Sequence, residues 1–231
     1  YQVDNVGAVT AFSYDSQSRV TKMTIFASLV DMSGLGGDIV WEANLNAWAS
    51  TNAVGSRITR NYYNARGDLR FVVDAEGFVT QNDFDAEGRL TAEYRFSAPI
   101  AATDASSLND INIIGKGTPS TKTFQYDLLG RLNFSFDGNG NNSYFGYWAT
   151  GKLAYRVTAF GQDGQSGGQF FEFDQAGRQT RAYNYNEATT FTLQNETRYD
   201  GLGNVSTNLD ANGTTTTYSY DKVGRRTSVT N

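Results

Sequence analysis

Three sets of glycines organise this sequence. Gly67, Gly77 and Gly88, then Gly130, Gly140 and Gly151, then Gly203, Gly213 and Gly224 each step by 10 and then by 11 residues. A 21-residue unit made of two unequal halves constrains the fold more than any other feature here. One such unit cannot bury an apolar face alone and must pack against its neighbours in the chain. The residues around the glycines recur too. Tyr126-Asp127-Leu128-Leu129-Gly130-Arg131-Leu132 is answered by Phe84-Asp85-Ala86-Glu87-Gly88-Arg89-Leu90. Phe173-Asp174 leads to Gly177-Arg178, Tyr220-Asp221 to Gly224-Arg225, and Tyr199-Asp200 to Gly203. The half-step turns read Asp74 to Gly77, Asp137 to Gly140 and Asp210 to Gly213.

Asp starts a turn because its carboxylate accepts hydrogen bonds from backbone N–H groups just downstream. Gly three residues later supplies the positive φ that closes a hairpin loop. Between turns the side chains alternate. Leu90, Ala92, Tyr94 and Phe96 share one side, while Arg89, Thr91, Glu93 and Arg95 share the other; Leu132, Phe134 and Phe136 likewise oppose Arg131, Asn133 and Ser135. Period two marks strands. The chain therefore reads as all-β: an antiparallel meander with two strands per unit.

Aromatics often stand two apart before a turn, as in Phe124/Tyr126, Phe145/Tyr147, Phe171/Phe173 and Tyr218/Tyr220. With Phe84, Tyr94 and Tyr199 they are expected to form a ladder of rings along the sheet, each contact worth roughly 0.2–1 kcal/mol over alanine. Tyrosine suits a face where its hydroxyl reaches water. The same residues build a wall.

Two segments break the period. Residues 28–53 contain Gly34-Leu35-Gly36-Gly37, Trp41 and Trp48, and are expected to form a longer hairpin or an extended strand pair. Residues 96–122 carry both prolines, Pro99 and Pro119. Within them Asp104 is expected to cap a single short helix running to about Ile114 and stopped by Gly115. Ser18 stands where the first turn needs Gly, and Asn64 and Trp148 stand where Asp is the rule.

The chain has no cysteine and no histidine. Disulfides, thiolate nucleophiles, Ser-His-Asp triads and His-based zinc sites are thereby excluded within it. The net charge of −5 and the scattering of Arg leave no basic stripe for nucleic acid. No apolar run approaches the length of about 20 residues that a membrane-spanning helix needs. Beginning at Tyr1 without an initiator Met, the chain is expected to be a processed or excerpted piece.

The unit Tyr-Asp-x-x-Gly-Arg-Leu, with its 21-residue spacing and Asp-x-x-Gly half-turns, resembles the YD or Rhs repeat. That family includes bacterial Rhs polymorphic toxins, Tc toxin B and C components, wall-associated proteins and teneurins. The resemblance covers most of the chain outside the two insertions, so residues 1–231 read as one YD-repeat module. It implies a curved or spiralling sheet forming part of a hollow shell, without catalysis or cofactor. Its implied partners are the rest of that shell and an enclosed polypeptide cargo such as a toxin. It implies a secreted or bacterial cell-surface location. The Rhs toxins end their shell at an Asp-Pro-containing self-cleavage element; this sequence has no Asp-Pro dipeptide, so the resemblance leads to the expectation of a mid-shell excerpt.

Other chemistries fare less well. Asp137-Gly138-Asn139-Gly140-Asn141 resembles the start of an EF-hand loop, but Trp148 takes the place of the bidentate Glu. In the Asp210 loop Thr215 stands at the sharp-turn Gly position. No phosphate-cradling glycine motif is present. Sequons at Asn133, Asn141, Asn195, Asn204 and Asn212 follow from a Thr/Asn-rich composition. The alternative function is an extracellular carbohydrate-binding or adhesion module, with the aromatic ladder stacking on glycans. Open sheet edges also make edge-to-edge self-association an expectation.

Overall fold

A computed structural model describes residues 1–31, 38–159, 166–186 and 190–231. The chain is an all-β antiparallel meander that divides into two compact units, Tyr1–Thr121 and Lys122–Asn231. The first holds β1 (Gln2–Val3), β2 (Ala8–Tyr14), β3 (Val20–Leu29), α1 (Asp38–Thr51), β4 (Arg57–Tyr63), β5 (Leu69–Val73), β6 (Val79–Phe84), β7 (Leu90–Phe96) and α2 (Leu108–Ile113). β8 (Pro119–Tyr126) reaches into the second. There follow β9 (Leu132–Phe136), β10 (Asn142–Tyr147), β11 (Leu153–Ala159), β12 (Ser166–Phe173), β13 (Gln179–Asn186), β14 (Thr190–Tyr199), β15 (Val205–Asp210), β16 (Thr215–Tyr220) and β17 (Arg226–Thr230). Within each unit, consecutive strands pair from β1 to β7 and from β8 to β17.

The turns explain why. At the turn after β8, the N–H of Asp127 donates to the carbonyl of Arg131 at 2.8 Å, and that of Gly130 to the carbonyl of Asp127 at 2.9 Å. The Asp127 carboxylate accepts from the N–H groups of Leu129 and Arg131, both at 2.9 Å. Its second oxygen takes Arg131 Nε and Nη2, each at 2.7 Å. One aspartate thus satisfies the loop backbone and docks the arginine that follows the glycine. The same set recurs at Asp15/Arg19, Asp174/Arg178 and Asp221/Arg225. This is a β-turn closed by a residue in the left-handed region. Ser18 holds that position at φ +61, at a cost of roughly 1–2 kcal/mol relative to glycine. Asn64 reproduces the cage with its amide oxygen, accepting from the N–H groups of Arg66 and Asp68. At Trp148 only the backbone bonds close the turn.

The two halves of the unit differ in kind. Beside each Tyr-Asp-type turn the register shifts: Tyr126 faces Leu132, but Gln125 faces Phe134, so Asn133 has no opposite residue. The same bulge lies at Tyr14, Tyr63, Phe84, Tyr147, Phe173, Tyr199 and Tyr220. It is absent across the half-step turns, where Val73 meets Val79, Phe136 meets Asn142 and Leu209 meets Thr215. Bulge residues Thr21 and Thr91 donate their hydroxyls to the carbonyls of Ser13 and Asp83, each at 3.2 Å. Bulges sharpen local twist.

The apolar cores of the first unit lie where the insertions pack on the sheet. Segment 28–53 was expected as a longer hairpin or an extended strand pair, but its residues Asp38–Thr51 fold as the helix α1. Its run from Glu42 to Ala49 holds Ala, Leu and Asn and no β-branched residue, and Leu45, Trp48 and Ala49 fall on one helical side. Leu45 is fully buried among Val9, Phe26 and Val30, and the Trp48 ring lies 5.1 Å from that of Phe26. The glycine cluster 34–37 lies outside the described residues. The second insertion forms α2, shorter than expected: its N-cap is Ser107, with Asp110 completing a capping box, and not Asp104. Ser107 wins because its hydroxyl and N–H both engage the Asp110 carboxylate, while Asp104 is drawn to two cations on the sheet. Ile111 seals a cluster of Tyr62, Phe71, Val73 and Val79. Lys116, itself buried, donates to the carbonyls of Ile111 and Asn112 at 2.9 and 3.0 Å, and burial lowers its pKa.

Three outcomes follow for unfolding experiments. Ile111→Ala is expected to cost about 2–5 kcal/mol, whereas Leu128→Ala, on a fully exposed turn, stays within roughly 0.5 kcal/mol. Urea titration of both variants checks the pair. A Cβ on Gly88 meets nothing within 4 Å, so Gly88→Ala costs only the left-handed strain, roughly 1–2 kcal/mol. A Cβ on Gly77 falls 2.6 Å from the Ile100 carbonyl oxygen, so Gly77→Ala costs more and speeds amide exchange at Ile100, whose N–H donates to the Gly77 carbonyl. The Arg131 side chain, then its backbone N–H, holds the Asp127 carboxyl below the usual range, and Arg19 does the same for Asp15. A depressed folded pKa contributes stability above the unfolded value near 3.9 and loses it as pH falls through the folded value. The urea midpoint should therefore drop on acidification below about pH 4, with a shallower slope in Asp127→Asn.

Candidate functional site

The repeated element is itself the candidate site. Its unit is a clamp joining three strands. The guanidinium of Arg131, already bound by Asp127, lies 4.4 Å from the centroid of the Tyr147 ring. The Tyr147 hydroxyl donates at 2.8 Å to the carbonyl of Leu132, the residue after that arginine. Arg178, Tyr199 and the Gln179 carbonyl repeat the arrangement at 4.3 and 2.9 Å. Arg19, Tyr63 and the Val20 carbonyl do so at 4.5 and 2.8 Å. Each clamp thus combines a bidentate ion pair, a cation–π contact and a hydrogen bond. The tyrosine of one turn reads the aspartate–arginine pair of an earlier one.

The turn residues Asp74, Asp85, Asp127, Asp137, Asp174, Asp200, Asp210 and Asp221 each accept the hydrogen bond of the glycine three residues on or of backbone N–H groups in the loop. Gly77, Gly88, Gly130, Gly140, Gly177, Gly203, Gly213 and Gly224 all hold positive φ. The aromatics stand differently from a ring-on-ring ladder. Phe124 faces Ser135, Phe145 faces Arg156, Phe171 faces Ala182, Tyr218 faces Val229 and Tyr94 faces Gln81. Phe84, Tyr126, Phe173 and Tyr220 sit at the bulges, opposite Leu90, Leu132, Gln179 and Arg226. Bulges displace the second member of each i, i+2 pair, and arginine takes the place of the neighbouring ring.

Ring contacts form elsewhere. In the second unit Tyr155 faces Phe170, and Phe170 faces Tyr183. Phe191 packs at 5.9 Å from Phe170 and 5.5 Å from Tyr185, and Trp148 lies 6.0 Å from Phe170. Tyr183 and Tyr185 two apart in β13 were the signal for this row. Arg181 joins Glu172 and Glu196 beside it; Arg198, then Arg181, lowers the Glu196 pKa. In the first unit Lys22, then Arg60, holds the Asp104 carboxyl low. Among the described residues no three His, Cys, Asp or Glu side chains converge as a metal site. Among them also, no helix is long and apolar enough to cross a membrane.

The family model for the RHS repeat matches residues 199–231. No curated protein matches the sequence. The fold is shared with solved Tc toxin structures. A crystal structure of TcdB2-TccC3-Cdc42 aligns with a TM-score of 0.65 at 19% identity, over 97% of this chain and 11% of that one. TcdB2-TccC3 without its hypervariable C-terminal region gives 0.64 at 19% identity, with the same coverages of 97% and 11%. A Photorhabdus luminescens Tc holotoxin pore gives 0.63 at 18%, again over 97% and 11%. The chain spans about a tenth of the length of these structures. The family match begins at Tyr199-Asp200, a turn whose hydrogen bonds recur through both units, so residues 199–231 are similar to an RHS repeat and the whole chain shares the fold of these Tc toxin structures.

Proposed function

We propose that this chain is a non-catalytic wall segment of a larger Rhs-repeat β-shell that encloses or presents a polypeptide cargo. The observation that carries the reading is the clamp. Asp127–Arg131–Tyr147 and its two counterparts tie the turn between two paired strands to the strand that follows them, so three successive strands share one joint. Such cross-links make a sheet resist opening between repeats, which is what containment demands. The shared fold with TcdB2-TccC3, a structure solved with and without a hypervariable C-terminal region, supports the cargo assignment. The partners are then the neighbouring repeats and the enclosed chain, and the parent is a secreted protein. Residues 1–231 act as one YD-repeat module with two inserts that brace the sheet.

A second reading has one observation in its favour. Trp148, Tyr155 and Phe191 leave 41%, 41% and 56% of their surface exposed beside polar groups, as a glycan-stacking surface does. A glycan array on the purified chain separates this reading, since a wall alone retains no sugar.

Limited proteolysis of the intact parent protein, read by mass spectrometry, tests containment. A segment outside the repeats should resist the protease until denaturant opens the wall. Cleavage of every non-repeat segment at the rate of an exposed loop sinks the proposal. The clamp has its own measure: Tyr147→Phe, which keeps the ring and drops one hydrogen bond, should lower stability by about 0.5–1.5 kcal/mol in thermal unfolding. Arg131→Lys should lower it further, because lysine keeps the charge but loses the bidentate fork and the stacking plane.

A further inference from the structure

Lys22 and Arg60 are cross-strand partners in the β3–β4 register, so two cations stand directly opposite each other on one side of the sheet. Like charges so placed repel. Both side chains are withdrawn from water, at 29% and 18% exposure, yet the group between them, Asp104, is 62% exposed. Arg60 donates to Asp104 Oδ1 through Nε at 3.2 Å and Nη2 at 2.8 Å, and Lys22 Nζ donates to Oδ2 at 2.6 Å. Recessed cations with an outermost carboxylate describe an anion held in a fork. The carboxylate comes from the segment between β7 and β8, distant in sequence from both cations.

The fork opens on a cleft of about 420 Å³ whose lining includes Ser13, Thr21, Thr103 and Ser106. Thr21 donates to the Ser13 carbonyl and the Thr103 and Ser106 hydroxyls lie 3.4 Å apart, so a bound oxygen draws a donor from this set only as a hydroxyl rotates away from its present partner. One carboxylate answers two cations, and Asp15, also at the cleft, is already held by Arg19. A doubly charged group with more acceptor oxygens matches the pair better than Asp104 does.

We propose that the Lys22–Arg60 pair is a binding seat for a tetrahedral dianionic oxoanion, a phosphate or sulfate group, with Asp104 acting as an internal competitor. The cleft borders the Asp15–Arg19–Tyr63 clamp, but Lys22, Arg60 and Asp104 take no part in it. While Asp104 occupies the fork, apparent affinity falls by the fraction of time the fork is free. Removing the carboxylate therefore unmasks the site.

The test uses the full chain and inorganic phosphate, then inorganic sulfate, by titration calorimetry and by thermal midpoint against sodium chloride at equal ionic strength. Asp104→Asn should bind phosphate at least about tenfold more tightly than the unmodified chain. Lys22→Gln added to Asp104→Asn should abolish the gain. Asp104→Ser, which removes the carboxylate without placing an amide in the fork, provides a second unmasked variant if Asp104→Asn loses its fold. Equal affinity in the unmodified and unmasked chains overturns the proposal, as does binding that survives Lys22→Gln. Vesicles carrying phosphatidic acid form a third arm. Their binding without binding of the free ions points to membrane attachment and overturns the assignment as well.

Discussion

The structure hangs on what one aspartate does at most of its turns. Its carboxylate collects two backbone N–H groups of the loop and, on its other oxygen, the guanidinium four residues on, as at Asp127 with Leu129 and Arg131. An uncaged loop would expose unpaired donors, and the arginine would be free to wander in solvent. Once fixed, that arginine offers its flat face to Tyr147, whose hydroxyl reaches back to the strand beginning at Leu132. Local turn chemistry thereby becomes a tertiary tie. The motif is thus a mechanical part: Tyr, Asp, Gly and Arg each take one role in a joint that spans strands.

This logic also explains why the sheet tolerates a modest apolar core. Among the described residues, the fully buried ones concentrate in the first unit, around Phe71 and Val79 and around Val9 and Leu45. There the two insertions lay short helices on the sheet and supply the missing apolar surface. In the second unit the described strands are mostly half-buried, and cohesion rests on backbone ladders, clamps and the Phe170–Tyr183–Phe191 rings. Charge is managed in small local networks, as where Arg181 sits between Glu172 and Glu196.

Period two and the aspartate–glycine spacing were legible because both are local. Side-chain direction in a strand and loop closure at positive φ are decided within a few residues. The bulges were not legible. They depend on how Asn133 or Thr91 meets the opposite strand, and no one-strand pattern encodes an unpaired position. They moved the aromatics out of the expected ring ladder and put Phe145 opposite Arg156 and Phe171 opposite Ala182. Segment 28–53 misled for a different reason: its glycines and tryptophans suggested strands, while Leu45, Trp48 and Ala49 carried the helical spacing.

By itself the sequence determined the meander, its turn stations, the absence of thiol and imidazole chemistry, and the resemblance to the Rhs repeat. Each of these follows from residue identity and short-range spacing. Tertiary structure alone decided that Asp104 would serve two cations on β3 and β4 and leave the helix cap to Ser107. It alone decided that arginine would face tyrosine across strands. The physical reason is the same in both cases. A charged side chain settles where its partners converge in space, and here those partners lie as far as 82 residues away along the chain.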